Sequence, residues 1–228
     1  RGFEDLGITV LQGYGLTECT PLVAGTPESA KERYKKAGSV GVAVASGEFK
    51  IINRDEDGIG EICLKGPNVM LGYYHMPEET AKVIVDGWFH TGDLGYTDGP
   101  YIYITGRKKN VIITANGKNV FPEELEYYLG KSTLVSESMV WASQDADGQD
   151  AVIVATIKPD MEEVEAELGK EAAQDPKKVE ALLWSMVDKV NANLPLFKKI
   201  RRINVRKEDF EKTTGKKIKR FVESNKQQ

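Results

Sequence analysis

Cysteine is scarce: Cys19 and Cys63 are the only two in 228 residues, too few for a disulfide framework and without the spacing of a zinc site. That scarcity suits a reducing compartment. No apolar run approaches the roughly 18 residues of a membrane-spanning helix. The opening residues Arg1, Gly2, Phe3, Glu4 and Asp5 show neither the basic stretch nor the apolar centre of a secretory signal. An excess of charge of one sign is lacking too. With 31 basic and 35 acidic residues the net charge is -4, which argues against a protein devoted to nucleic acid or anionic membrane. The phosphate loop G-x-x-x-x-G-K-[ST] occurs nowhere, and neither do internal repeats or low-complexity tracts. An initiator methionine is also missing, so we expect a piece of something longer. What remains, 40% hydrophobic and 29% charged residues, is ordinary globular composition, enough for one large or two modest domains.

The first half is rich in glycine and short β-type runs. Glu48 to Asn53 and Gly60 to Lys65 flank a polar turn, Arg54 to Gly58, and predict a hairpin. Pro77 to Val85 starts with proline followed by acidic residues, which predicts a short helix. Tyr101 to Ile104 reads as a strand. Beyond Gly106 the pattern changes. Val111 to Thr114 runs into a tight Asn116-Gly117 turn, and a helix is expected at Pro122 to Glu126. Ser138 to Trp141 and Ala151 to Ile157 read as strands separated by a turn at Asp145 to Gly148. Val179, Leu182, Leu183, Met186, Val187 and Val190 recur at helical spacing. The expected fold class is α+β, with a β-dominated unit over residues 1–105 and an α+β unit over 106–228.

Four clusters carry the polar chemistry. In Gly13-Tyr14-Gly15-Leu16-Thr17-Glu18, two glycines allow close backbone approach to a ligand, Thr17 offers a hydroxyl to a phosphate, and Glu18 suits a hard cation such as Mg²⁺. The competing reading is a turn whose threonine and glutamate cap a helix. In Trp88 to Gly95, Asp93 follows a Thr-Gly turn and is placed to accept bonds from vicinal sugar hydroxyls, unless it only satisfies its own loop in an Asx-turn. His90 has no evident partner carboxylate or nucleophile and reads as a packed or surface histidine. Gly106-Arg107-Lys108-Lys109-Asn110 offers a guanidinium fork, or else is a solvated linker. Thr213 to Arg220 puts lysines on a glycine-containing loop, mobile point charges suited to phosphate or carboxylate. This last cluster lies in a basic stretch, Lys198 to Arg220, which makes a nucleic-acid or lipid patch the competing interpretation. Only Phe197 and Phe210 interleave it, so base stacking is poorly served.

Taken in order, the clusters are far more specific than any one alone. Tyr14-Gly15-Leu16-Thr17-Glu18, Gly60 to Met70 with Gly72-Tyr73-Tyr74, Thr91-Gly92-Asp93-Leu94, Gly106-Arg107 and Lys217-Ile218-Lys219-Arg220 resemble the adenylate-forming superfamily. Within it they look most like AMP-forming long-chain fatty-acid CoA ligases. The resemblance implies the end of a large N-terminal domain, a distorted barrel subdomain, followed by a small mobile C-terminal domain. It also implies activation of a carboxylate by ATP with Mg²⁺, then acyl transfer to coenzyme A. Tyr14 would stack on adenine beside Gly15, Thr17 would contact phosphate, Glu18 would hold Mg²⁺, Asp93 would grip the ribose with help from Arg107, and Gly117 would line the path of the thiol arm. Lys109 matches the hinge. Lys217 matches the lysine that stabilises charge during adenylation, with Lys216 as the alternative. The expected partners are a fatty acid, ATP and coenzyme A, with no nucleic acid and no obligate protein partner. The expected location is cytoplasmic, with peripheral contact to the inner face of a membrane compatible with a long-chain substrate. The upstream phosphate loop and most of the acyl pocket of such enzymes have no counterpart here, so this chain alone is expected to fold without catalysing. The rival readings are an amino-acid adenylation domain that loads a carrier protein and a noncatalytic module with a basic tail.

Overall fold

The computed structural model describes residues 2–44, 47–144 and 151–226. The chain forms two compact units, Arg1–Lys109 and Asn110–Gln228. The division falls four residues beyond the expected 105/106 boundary. The reason is that the last strand of the first unit does not stop at Thr105 but continues to Arg107, whose side chain is held by the same unit.

The first unit runs α1 (Gly2–Asp5), β1 (Gly13–Gly15), β2 (Leu22–Gly25), α2 (Ala30–Lys35), β3 (Gly41–Ala43), β4 (Glu48–Ile52), β5 (Gly60–Lys65), α3 (Pro77–Val83), β6 (Ile84–Val85), β7 (Trp88–Asp98) and β8 (Tyr101–Arg107). The sheet path is β1-β2-β3-β8-β7-β5-β4, with β6 attached to β7, and every pairing is antiparallel. The predicted hairpin is present as β4 and β5, and Asp55 stabilises its turn by accepting from the amides of Asp57 and Ile59, each at 3.0 Å. Lying between β4 and β7, β5 is buried from Gly60 to Leu64. Val23, Ile51, Ile62, Leu64, Phe89 and Ile102 form the centre of the core.

Two expectations change here. The helix from Pro77 ends at Val83, and Ile84–Val85 instead pairs with β7 across Asp86-Gly87, both at positive φ (51° and 75°). An Asp-Gly pair in this conformation is the favoured two-residue hairpin turn. The Thr91-Gly92-Asp93 segment is not a loop but the middle of β7. Burial alternates along β7, and its inward positions are Phe89, Thr91, Asp93 and Gly95. A carboxylate thus occupies a register slot that packing alone would give to an apolar residue.

The second unit runs β9 (Ile112–Ile113), β10 (Asn119–Val120), α4 (Pro122–Leu129), β11 (Val135–Gln144), β12 (Ala151–Pro159), α5 (Met161–Leu168), α6 (Pro176–Asn191) and β13 (Arg202–Val205). β11 and β12 are antiparallel, and β13 joins β12 in parallel after the crossover through α5 and α6. The turn expected at Asp145 to Gly148 lies outside the described residues. Asp160 and Asp175 cap α5 and α6 by accepting backbone amides of the first turn. Val179, Leu183, Met186 and Val187 bury the predicted face of α6 against Leu125, Leu129, Val140, Ile153 and Ile157. Each such aliphatic side chain contributes about 1.5–3 kcal/mol when fully removed from water. The helix ends at Asn191, whose buried amide accepts from Ile200 N and donates to Ile200 O, both at 2.9 Å.

Candidate functional site

In the first unit two sequence candidates, Tyr14 and Arg107, converge on a third, Asp93. Its side chain is 5% exposed, Tyr14 Oη donates to Oδ2 at 2.6 Å, and Arg107 Nε lies 2.5 Å from Oδ1. The register of β7 against β8 sets Asp93 opposite Arg107, so the ion pair follows from strand pairing. Tyr14 comes from β1 at the far end of the sheet path, with its ring packed in the core. Burial, and then the neighbouring Asp93 carboxylate, push the Tyr14 phenol well above its ordinary range, so the hydroxyl remains a donor. Tyr14 as a whole is buried, and its hydroxyl is committed to Asp93. Carboxylate oxygens each carry two lone pairs, and Tyr14 and Arg107 use one on each, leaving capacity for further donors.

Glu61, on the neighbouring β5, supports the same strand. Its Oε2 meets Lys108 Nζ at 2.9 Å and His90 Nδ1 at 3.5 Å, while Oε1 accepts from Gly92 N at 3.2 Å. His90 therefore does have a carboxylate neighbour, which the sequence concealed because Glu61 is brought over by β5. Burial alone would raise the Glu61 carboxyl, but Lys108 and then His90 outweigh it and hold it below the ordinary carboxylate range. Thr91 Oγ1 donates to Ile62 O at 2.7 Å and accepts from Asp93 N at 3.0 Å, locking the backbone on which Asp93 is mounted.

Thr17 and Glu18 sit on a single 3-10 turn, Thr17–Cys19, that has no side-chain cap. The helix-capping alternative is therefore not what these residues do. Thr17 is exposed, and Glu18 is half-buried and accepts from Tyr73 Oη at 3.0 Å. The turn is pinned by Asn68, which donates to Cys19 O at 3.3 Å and Leu22 O at 3.2 Å, and by Met70 N, which donates to Glu18 O at 2.7 Å. Gly15 is required by packing, because a Cβ there would stand 1.8 Å from Pro21 O. Among the described residues no group of three or more His, Cys, Asp or Glu forms a metal cage. Glu18 still fits Mg²⁺, which commonly takes one or two carboxylates and completes its shell with substrate phosphates and water. Cys19 and Cys63 are buried, and burial pushes both thiols up to about 11, which leaves them unreactive at neutral pH.

In the second unit, Gly117 and Lys216 hold equivalent places in two similar loops. Thr114 N donates to Lys118 O and Gly117 N to Thr114 O, just as Thr213 N donates to Lys217 O and Lys216 N to Thr213 O. The left-handed residue is Gly117 (φ 71°) in one and Lys216 (φ 59°) in the other. Lys217 starts the returning arm, exposed and without an ion pair among the described residues. Lys109 is the last residue of the first unit. Part of the basic stretch is paired within its own unit: Lys198 with Glu124 at 2.7 Å, Lys212 with Glu137, and Arg220 with Glu126 at 2.5 Å. Arg206 is spent on the carbonyls of Glu208, Asp209 and Ser224. Among the described residues no helix is long and apolar enough to cross a membrane. Sequence reasoning missed Tyr73, Asn68 and Glu61 as parts of the site. All three lie within the quoted motifs, but only the fold reveals their partners.

Comparison with known proteins supplies the family. Residues 1–74 match the AMP-binding enzyme family, and residues 109–223, half of the chain, match the AMP-binding enzyme C-terminal domain. The chain belongs to the AMP-binding enzyme family. A long-chain-fatty-acid–CoA ligase of Salmonella typhimurium is 38% identical over 166 residues, 70% of this chain and 29% of that protein. An indoleacetate–CoA ligase of Aromatoleum aromaticum is 38% identical over 165 residues, 70% of this chain and 32% of that protein. Among solved structures, o-succinylbenzoate CoA synthetase (MenE) from Bacillus subtilis, in complex with the acyl-adenylate OSB-AMP, superposes with a TM-score of 0.76 at 27% identity, covering 95% of this chain and 41% of that one. The same enzyme in complex with ATP and magnesium ion gives 0.73 at 26% identity, covering 94% of this chain and 41% of that one. This AMP-binding family member thus spans about a third of its curated relatives.

Proposed function

We propose that this chain is part of an AMP-forming acid–thiol ligase that joins a fatty acid, long-chain by preference, to coenzyme A. The observation that carries the proposal is the buried Asp93 carboxylate between Tyr14 and Arg107, an anionic acceptor built into a strand interior and braced from both sides. An acceptor of that kind matches the vicinal hydroxyls of a ribose, with Tyr14 beside Gly15 bounding the adenine. Glu18 and Thr17 stand on the neighbouring turn as ligands for Mg²⁺ and phosphate, and bound Mg²⁺ would supply positive charge at the phosphates.

In the reaction, a substrate carboxylate oxygen attacks the α-phosphorus of ATP, the bond to pyrophosphate breaks, and an acyl-adenylate forms. The coenzyme A thiol then displaces AMP at the acyl carbon. Two anions must approach in the first step, so the chief demand on the protein is positioned positive charge. Lys217 is assigned that task, with Lys216 beside it as the alternative. Lys109 is assigned the hinge role and Gly117 a place along the thiol arm. Free, deeply buried thiols fit a reducing, cytoplasmic setting.

Fatty-acid ligases among the relatives support the acyl preference, and the equal identity of an indoleacetate ligase is the reason to test it. The experiment is acid-dependent exchange of pyrophosphate into ATP by the full-length protein across acetate, octanoate, palmitate, indoleacetate and mixed amino acids. Exchange with palmitate and octanoate is expected. Exchange with amino acids alone would move the protein to the carrier-loading branch, and silence with every acid would remove the catalytic reading.

A further inference from the structure

The hairpin that presents Lys217 is held at both arms by side chains outside the loop itself. Lys212 and Ile218 form its antiparallel bridge, and Lys217 N donates to Thr213 Oγ1 at 3.2 Å. Asn225, 0% exposed, spans the two arms: its Nδ2 donates to Glu211 O and Lys219 O, each at 3.0 Å, and its Oδ1 accepts from Glu211 N at 2.8 Å. All three contacts go to backbone atoms of the arms. Arg220, three residues after Lys217, donates through Nη1 to Val140 O at 3.0 Å and through Nη2 to Glu126 Oε2 at 2.5 Å. Glu126 Oε1 in turn accepts from Val140 N at 2.7 Å, so one carboxylate and one guanidinium clasp the same residue of β11 from its N–H and its C=O. Desolvation raises the Glu126 carboxyl, and Arg220 opposes that shift.

Such an arrangement is more than the loop needs to close, since its own turn bonds already do that. It fixes where the loop stands on α4 and β11. Asn225 also lies beyond the residues matched by the family's C-terminal domain. Resting on the assignment of Lys217 above, we propose that Asn225 and Arg220 are positioning residues that aim the Lys217 ammonium for the adenylation step. They act through the lysine and touch no substrate.

The test is a mutant cycle in the full-length protein, read by acid-dependent pyrophosphate exchange. Asn225→Asp keeps the size of the side chain but turns the bridging donor into an oxygen facing two carbonyls. Arg220→Lys keeps the charge and loses the fork, and serves if Asn225→Asp folds poorly. Each is expected to lower the exchange rate at saturating substrate about tenfold or more while moving the KM for ATP less than about threefold. In a Lys217→Ala background, neither is expected to reduce the residual rate further by more than about twofold, because the group they aim is gone. A residual rate lowered by the same factor in both backgrounds would show that they act through the fold and would overturn the inference. So would full exchange in both single variants when Lys217→Ala is inactive, or a raised KM with an unchanged rate. Full exchange in Lys217→Ala itself would overturn the assignment of the lysine first, and the positioning role with it.

Discussion

Removing one oxygen atom from Tyr14 probes the site most sharply. Tyr14→Phe keeps the ring in the core but deletes the donor that lies 2.6 Å from Asp93 Oδ2. Asp93 is 4% exposed, so water cannot simply replace the lost donor. A hydrogen bond to a charged group contributes about 1.5–3 kcal/mol, against about 0.5–1.5 for a neutral pair. Loss of the methyl-sized volume of a hydroxyl adds little. We therefore expect Tyr14→Phe to destabilise the first unit by about 1.5–3 kcal/mol. The assay is urea unfolding followed by Trp88 fluorescence, with Trp141 and Trp184 of the second unit replaced by phenylalanine so that the signal reports one unit. Asp93→Ala and the double variant complete a cycle. A coupling energy below about 0.5 kcal/mol between positions 14 and 93 would refute the reasoning, since residues that do not interact add within that margin.

Other perturbations read separate parts of the account. Lys216 holds the left-handed position that glycine fills in the sister loop, so Lys216→Gly should stabilise the second unit by about 1 kcal/mol in thermal or urea unfolding. Gly15→Ala should cost about 1–3 kcal/mol or more, because the new Cβ would meet Pro21 O at 1.8 Å; a neutral result would contradict the β1–β2 geometry. Glu61 has a native pKa below its ordinary 4.5, so it binds protons less readily folded than unfolded. Its stabilising contribution is complete above pH 4.5 and is lost as the pH falls below that value towards its native pKa. Glu61→Gln should therefore flatten the acid limb of the stability–pH curve, and an unchanged limb would remove Glu61 from the account.

Much of this fold is written in local pattern. The β4–β5 hairpin was legible from two β-rich runs around a polar turn, and α6 from its apolar face at helical spacing. The ends of elements were harder. Ile84–Val85 looked like the tail of a helix because the proline and acidic start before it extended the helical reading to Val85, and the Asp86-Gly87 turn was not read. β7 hid because glycines and polar residues break its alternation, and they do so where the strand carries Asp93. At the site, the order of motifs singled out Tyr14, Asp93 and Arg107 as candidates, but not that they touch, which depends on β-register between strands far apart in sequence. Glu61, Tyr73 and Asn225 were invisible as partners for the same reason: each acts on a group brought to it by tertiary pairing, and none has a local signature of its role.

The central claim is that Asp93 is the anionic acceptor for the ribose of an acyl-adenylate. The most direct measurement is calorimetric binding of a nonhydrolysable acyl-sulfamoyl adenosine to the full-length protein and to its Asp93→Ala variant, with Lys198→Ala as a control away from the site. Tight binding to the parent and the control is expected, with a loss of about 10- to 100-fold or more in Asp93→Ala, as when a charged acceptor of hydrogen bonds is removed. Equal affinity for parent and Asp93→Ala, in variants that unfold at comparable temperatures, would contradict it.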